Sequence, residues 1–252
     1  MISIKRPLSK IIGNLFRSIF FLYSKILRVK NFNKPKLLFY TDSRGYLIGN
    51  IFSYKNGFIN PLVRFLETNF NLEYSINKHK HTTYFDFLKD YSDQKLEDYV
   101  FIVLILGAVD FSPRNFQDAE SLRRKKVSDL GVKLDHTSSF LDKKAIFEEE
   151  FTDSIVNNSN LKFLEDRLKK FSDKLIVVST GFVNDDWRGS YWRDRPKNIN
   201  EFFKREKYFA KKISKNLIDL SDQDPKKISL DNIHFSPFGF NLIKDKIKEI
   251  IL

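Results

Sequence analysis

Apolar residues fall along this chain in two rhythms. Short unbroken runs occur at 37–40, 99–106 and 175–178, and each stops at a glycine or a small polar cluster. Elsewhere apolar positions recur three and four residues apart among charges, the spacing of a helix with one buried face. The runs predict buried strands at 36–41, 99–106 and 175–179. The second is the most central, because it is apolar throughout. Weaker runs add strands at 72–77 and 216–220. Helices are predicted from Asn60-Pro61 onward, over 159–170, over 201–212 after Asn200 as N-cap, and over 238–250. Strand and helix alternate, which predicts an α/β fold, a three-layer α/β/α sandwich around a parallel sheet.

Two segments stand outside that alternation. Over 7–29, Leu8, Ile11, Ile12, Leu15, Phe16, Ile19 and others fall on one half of a helical wheel, with Lys10, Arg17, Lys25 and Arg28 opposite. This predicts an N-terminal amphipathic helix within a basic arm at 1–35. Such a helix suits an anionic membrane surface; a helix packed on the domain or on a second copy is the other reading. Its uncharged run, Ser18 to Ser24, is far short of the roughly 20 residues that span a bilayer. No small-residue cleavage site follows, so a signal peptide is not expected. Residues 115–158 are polar, with Arg123-Arg124-Lys125-Lys126 and Glu148-Glu149-Glu150. They read as a helical insertion or lid whose charge runs are solvated faces.

Composition narrows the classes. The 252 residues are enough for one sizeable core, here over 36–252. Cysteine is absent, so disulfides and thiolate metal sites are excluded. The net charge of +12 is local: residues 1–41 hold nine basic side chains and no acid, which leaves 35 basic against 32 acidic in the remainder. The body is nearly balanced, which argues against a nucleic-acid partner.

The chemistry concentrates at two places. Thr41-Asp42-Ser43-Arg44-Gly45 follows the first strand, so Ser43 lies just past a strand's carboxyl end, where open α/β sheets place their sites. A serine needs a base. Near the other end, Asp231-Asn232-Ile233-His234 supplies an imidazole and a carboxylate to orient it, the components of a nucleophile triad. A turn serine and a helix-flanking histidine are the plain alternatives.

Together these segments resemble the SGNH (GDSL-like) hydrolases. Thr41–Gly45 is similar to that family's first block, with Thr41 for the first glycine, and Asp231-x-x-His234 to its last. Leu106-Gly107-Ala108-Val109-Asp110 resembles its Gly-x-Asn-Asp block, with Val109 at the asparagine. The resemblance implies a flavodoxin-like sheet of five strands and acyl transfer through Ser43, His234 and Asp231. It also implies a Ser43 backbone N–H in the oxyanion hole, with Gly107 and Asp110 at the site. Valine cannot donate the hydrogen bond of the family's asparagine, so Arg114 is the candidate substitute donor, against a surface arginine after a turn proline. The family's second-block glycine has no counterpart, since no glycine occurs between Gly57 and Gly107.

The loop 181–196 carries both tryptophans, Trp187 and Trp192, with Asn184 among flanking acids and arginines. Such a loop suits a polar, ring-shaped ligand; a loop pinned by buried aromatics is the other reading. His79 and His81 lack a carboxylate partner in the sequence pattern and read as loop residues rather than metal ligands. No cofactor is expected. Taken with the loop 181–196, the resemblance implies an O-acetyl esterase or O-acetyltransferase acting on a glycan ester, and the basic arm suits a place in the cytoplasm or at the inner membrane face. The competing class is a non-catalytic glycan-binding or membrane-docked module on a decayed hydrolase fold.

Overall fold

The computed structural model describes residues 22, 25–46, 61–133, 145–147, 150–190, 195–196 and 198–252. The expected helix over 7–29 lies mostly outside them; residues 25–30 are helical. Five parallel strands form the central sheet: β1 (Lys36–Thr41), β2 (Asn71–Ile76), β3 (Phe101–Ile105), β7 (Leu175–Val178) and β8 (Asn216–Ile218), in the order β2-β1-β3-β7-β8. This is the flavodoxin-like order, and all five strands lie where the apolar runs placed them, with ends shifted by up to two residues.

The side-chain period of two explains the layers. Leu38 and Tyr40 of β1, Ile102 and Leu104 of β3, and Leu175 and Val177 of β7 enter one apolar core. Leu37, Phe39, Val103, Ile105, Ile176 and Val178 enter the other. Helices α2 (Tyr84–Asp90), α6 (Asn158–Leu168) and α7 (Ile199–Ile213) cover the first core. Helices α1 (Pro61–Asn69) and α9 (Pro237–Ile251) cover the second. Short helices α3 (Asp93–Glu97), α4 (Ala108–Phe111) and α8 (Pro225–Ile228) complete the connections. Among the described residues no helix is long and apolar enough to cross a membrane.

The segment 115–158 departs from a purely helical insertion. After β4 (Arg114–Asn115) it runs into α5 (Phe116–Asp129), but its later part, β5 (Ala145–Phe147) and β6 (Glu150–Asp153), joins β4 in a small antiparallel sheet. Strands this short leave too little alternation to be read from sequence. Nor is the 123–126 charge run a wholly solvated face. Arg123 is fully buried and pairs with Asp153, while its Nε and Nη2 donate to the carbonyls of Ile155 and Ser154 at 3.0 and 2.7 Å. Lys126 is buried against Asp86, whereas Arg124 stays 61% exposed. An α-helix turns about 100° per residue, so adjacent basic residues face different ways.

Removing one member of a buried ion pair strands the other charge. Arg123→Ala is therefore expected to cost about 3–5 kcal/mol in urea unfolding, and Arg124→Ala less than about 0.5 kcal/mol. Equal, small effects would contradict the pairing.

Candidate active site

In this sheet order the connections leave β1 and β3 in opposite directions, which opens a crevice at their carboxyl ends. β1 ends there in a tight turn. The Asp42 N–H donates to the Ile105 carbonyl at 3.0 Å, and Asp42 caps the 3-10 turn Ser43–Gly45 by accepting from Arg44 N–H at 2.9 Å. Gly45 is required by close approach, since a Cβ there would lie 1.9 Å from Thr41 Oγ1. The turn leaves Ser43 half-buried at the crevice.

The second element comes from the loop before α9. Asp231 Oδ1 accepts from the backbone N–H of Ile233 at 3.1 Å and of His234 at 2.8 Å, which folds the loop around the carboxylate. Its Oδ2 lies 2.9 Å from His234 Nδ1, and His234 Nε2 lies 3.1 Å from Ser43 Oγ. In a neutral imidazole, a proton held on Nδ1 by the carboxylate leaves the Nε2 lone pair to accept from the serine hydroxyl. Burial pushes the Asp231 carboxyl up, but its bonds from His234 outweigh this, and its pKa is held below the ordinary value. Asp231 therefore stays charged at neutral pH. The three sequence-predicted residues meet in the order required of nucleophile, base and orienting acid.

Two residues that sequence reading passed over fix this loop. Arg195 donates to the Asp231 carbonyl at 3.2 Å and lies 3.7 Å from its Oδ2. Asn232 sits in the left-handed region (φ 71°) and is buried. Its side chain accepts from Asn184 N–H at 2.8 Å and donates to the carbonyls of Asn184 and Trp187. The Asn184–Trp187 loop is thereby stitched to the His234 loop. Trp192 lies outside the described residues.

The remaining expected site residues separate. Gly107 takes φ +109°, and a Cβ on it would strike Glu206 at 2.7 Å. Val109 packs against the apolar core, so it contributes no donor. Asp110 is fully buried and accepts from Tyr84 N–H at 3.0 Å. That carboxylate faces the interior and fixes the start of α2, a correction to its expected place at a substrate. Arg114 Nη2 donates to the Val109 carbonyl at 3.4 Å. His79 Nε2 lies 2.8 Å from Asp90. Among the described residues no three His, Asp or Glu side chains are grouped to hold a metal. The loop after β2 takes left-handed backbone at Asn77 and His81.

Behind Ser43 lies a polar cluster that the motifs do not reveal. Arg44 is fully buried. Its Nε lies 3.1 Å from both Asp42 oxygens, its Nη2 3.0 Å from Asp42 Oδ2, and its Nη1 donates to Thr180 Oγ1 at 2.8 Å. Thr180 N–H in turn donates to Glu206 at 3.1 Å. Glu206 sits on the apolar face of α7 among Phe202, Phe203, Phe209 and Ala210, so a carboxylate within an amphipathic stripe was the available signal. Burial pushes Glu206 up to about 8 and Asp110 up to about 7.

No protein-family model matches the sequence, and no curated protein matches it. Among solved structures the chain is similar to a lipase/acylhydrolase from Enterococcus faecalis, at 17% identity over 86% of this chain and 95% of that one, with a TM-score of 0.45. It is also similar to a structure described as a GDSL-like lipase from Parabacteroides merdae, at 12% identity over the same shares, again with a TM-score of 0.45.

The Glu206 shift makes stability depend on pH. An unfolded chain loses this proton near 4.5, the folded one near 8. Between those values the folded state binds more protons, so this group's contribution is complete at low pH. It declines as pH rises, by up to about 1.4 kcal/mol per pH unit. Glu206→Gln keeps an acceptor for Thr180 N–H and removes the titration. Its melting temperature should gain on wild type steadily from pH 5 to pH 8, approximate limits set by that shift. A pH-independent gap would contradict a neutral buried Glu206.

Proposed function

We propose that the protein is a serine-dependent acyl-transfer enzyme acting on an ester of a carbohydrate. The observation that carries this reading is the continuous relay from Asp231 through His234 to Ser43, at 2.9 and 3.1 Å. Ser43 Oγ attacks the ester carbonyl carbon as its proton passes to His234 Nε2. Collapse of the tetrahedral adduct breaks the bond to the alcohol, which takes that proton, and leaves an acyl group on Ser43. An acceptor hydroxyl then gives its proton to His234 and removes the acyl group, restoring the serine. Water as acceptor makes an esterase; a sugar hydroxyl makes an O-acyltransferase. The Ser43 backbone N–H is the proposed oxyanion donor, with Arg114 as a second from the α4–β4 side.

The carbohydrate part rests on the Trp187 loop. An indole offers a flat apolar face for a sugar ring, and Asn184 and the nearby charged groups suit its hydroxyls. Asn232 ties that loop to the reacting histidine, so bound sugar would lie beside the proposed nucleophile. One observation favours the runner-up, a binding module without turnover: Val109 supplies no hydrogen bond to an oxyanion, a loss worth about 2.7–4 kcal/mol where such a donor is removed.

Hydrolysis of an aryl acetate separates the two. Ser43→Ala and His234→Ala are each expected to lower kcat on the order of 10³-fold or more, without a comparable change in melting temperature. Acetate release with and without added oligosaccharide then distinguishes water from sugar as acceptor. A folded wild type with no turnover, binding glycan equally well after Ser43→Ala, would favour the module.

A further inference from the structure

We propose that the end of the molecule carrying the strands' amino termini docks on an anionic lipid bilayer, with Ser43 facing away from it. The inference does not rest on the reading of Ser43 as a nucleophile.

All five central strands are parallel, so their amino ends share one face and the Ser43 turn lies at the other. The longest strands, β1 and β2, have six residues each and separate the two by about 20 Å. The amino-end face carries two features, one at each edge of the sheet. At the β2 edge, the chain approaching β1 exposes Leu22, Ile26, Val29 and Phe32, each at least 60% accessible. Ile26 and Val29 lie three residues apart within the helical residues 25–30 and so form one stripe. Val100, whose N–H bonds to the carbonyl of Lys36, the first residue of β1, is a further exposed apolar side chain at this end. Lys25, Arg28 and Lys30 flank the stripe and are exposed. The segment is anchored to the body: Arg28 pairs with Glu73, and Asn31 and Lys34 donate to the carbonyls of Glu67 and Thr68.

At the β8 edge an open groove of about 710 Å³ is lined by Lys169, Lys211, Lys212 and Lys215. It begins at the same end and runs along the β8 edge as far as Leu217 and Asp219. Lys215 N–H bonds to the Ser172 carbonyl, and Ser214 Oγ donates to the carbonyl of Leu175, the first residue of β7. Asp219 also lines it and pairs with Lys207, and Asp173 beside it pairs with Lys215. The face therefore offers exposed aliphatic and aromatic side chains ringed by cations, with a second cationic patch on the far edge. A bilayer matches both, since headgroup phosphates meet the lysines while the stripe enters the interfacial region. The Ser43 turn is left facing water, away from the bilayer.

Flotation of the full-length protein with phosphatidylcholine vesicles, with and without phosphatidylglycerol, tests this. Wild type is expected to float only with the anionic vesicles, and less at high salt. The triple variants Ile26→Glu/Val29→Glu/Phe32→Glu and Lys211→Glu/Lys212→Glu/Lys215→Glu should each lower the bound fraction on the order of tenfold or more. All six side chains are exposed, so both variants should melt close to wild type. No binding by wild type overturns the proposal. Unchanged binding by the lysine variant overturns the shared face. A stripe variant whose only effect is to lower the protein's mass in vesicle-free solution assigns the stripe to a second copy and also overturns it.

Discussion

A fully buried guanidinium organises the carboxyl end of this sheet. Arg44 has no water to solvate it, and an unpaired charge at that depth would cost several kcal/mol. Burial works against its charge, yet the Asp42 carboxylate outweighs burial and raises its pKa. The fork of Arg44 meets both oxygens of Asp42 and then Thr180, which lies two residues past β7 and is itself bonded to Glu206 on α7. Two elements distant in sequence, the exit of β7 and helix α7, are thereby fixed to the turn that presents Ser43. The hydroxyl is held by its neighbours' electrostatics as much as by the turn's own backbone.

Against that rigid turn, the histidine loop is set by a different device. Asp231 uses one oxygen to hold two backbone N–H groups and the other to hold the imidazole. Orientation of the loop and orientation of the base are therefore one interaction. Asn232 adds a left-handed residue whose amide bridges to the Trp187 segment. Ser43 comes from the turn after β1 and His234 from the approach to α9, and the Trp187 segment leaving β7 is tied to the His234 loop where the sheet order reverses.

Much of this was legible in the sequence because it is local. Unbroken apolar runs mark β1, β3 and β7, since a parallel strand is buried on both faces. Ser43, Asp231 and His234 stand in short patterns whose chemistry requires those residue types. What stayed hidden is what tertiary contact decides. Arg44 and Glu206 look like an ordinary turn arginine and a helix glutamate until α7 packs beside Gly107. Arg123 and Lys126 sit in a run of four basic residues, and only the placement of Asp153 and Asp86 separates the buried pair from the solvated one. Asp110 carries a motif position yet turns inward, because the N–H at the start of α2 needs an acceptor.

The proposed chemistry depends on activation of Ser43 by His234. Its most direct test is covalent labelling of the native protein by a fluorophosphonate, read by intact mass and by mapping the modified peptide. A single adduct on Ser43 in wild type is predicted, absent from Ser43→Ala and strongly slowed in His234→Ala. A folded wild-type protein that takes no label, or one labelled equally well without His234, would contradict the account.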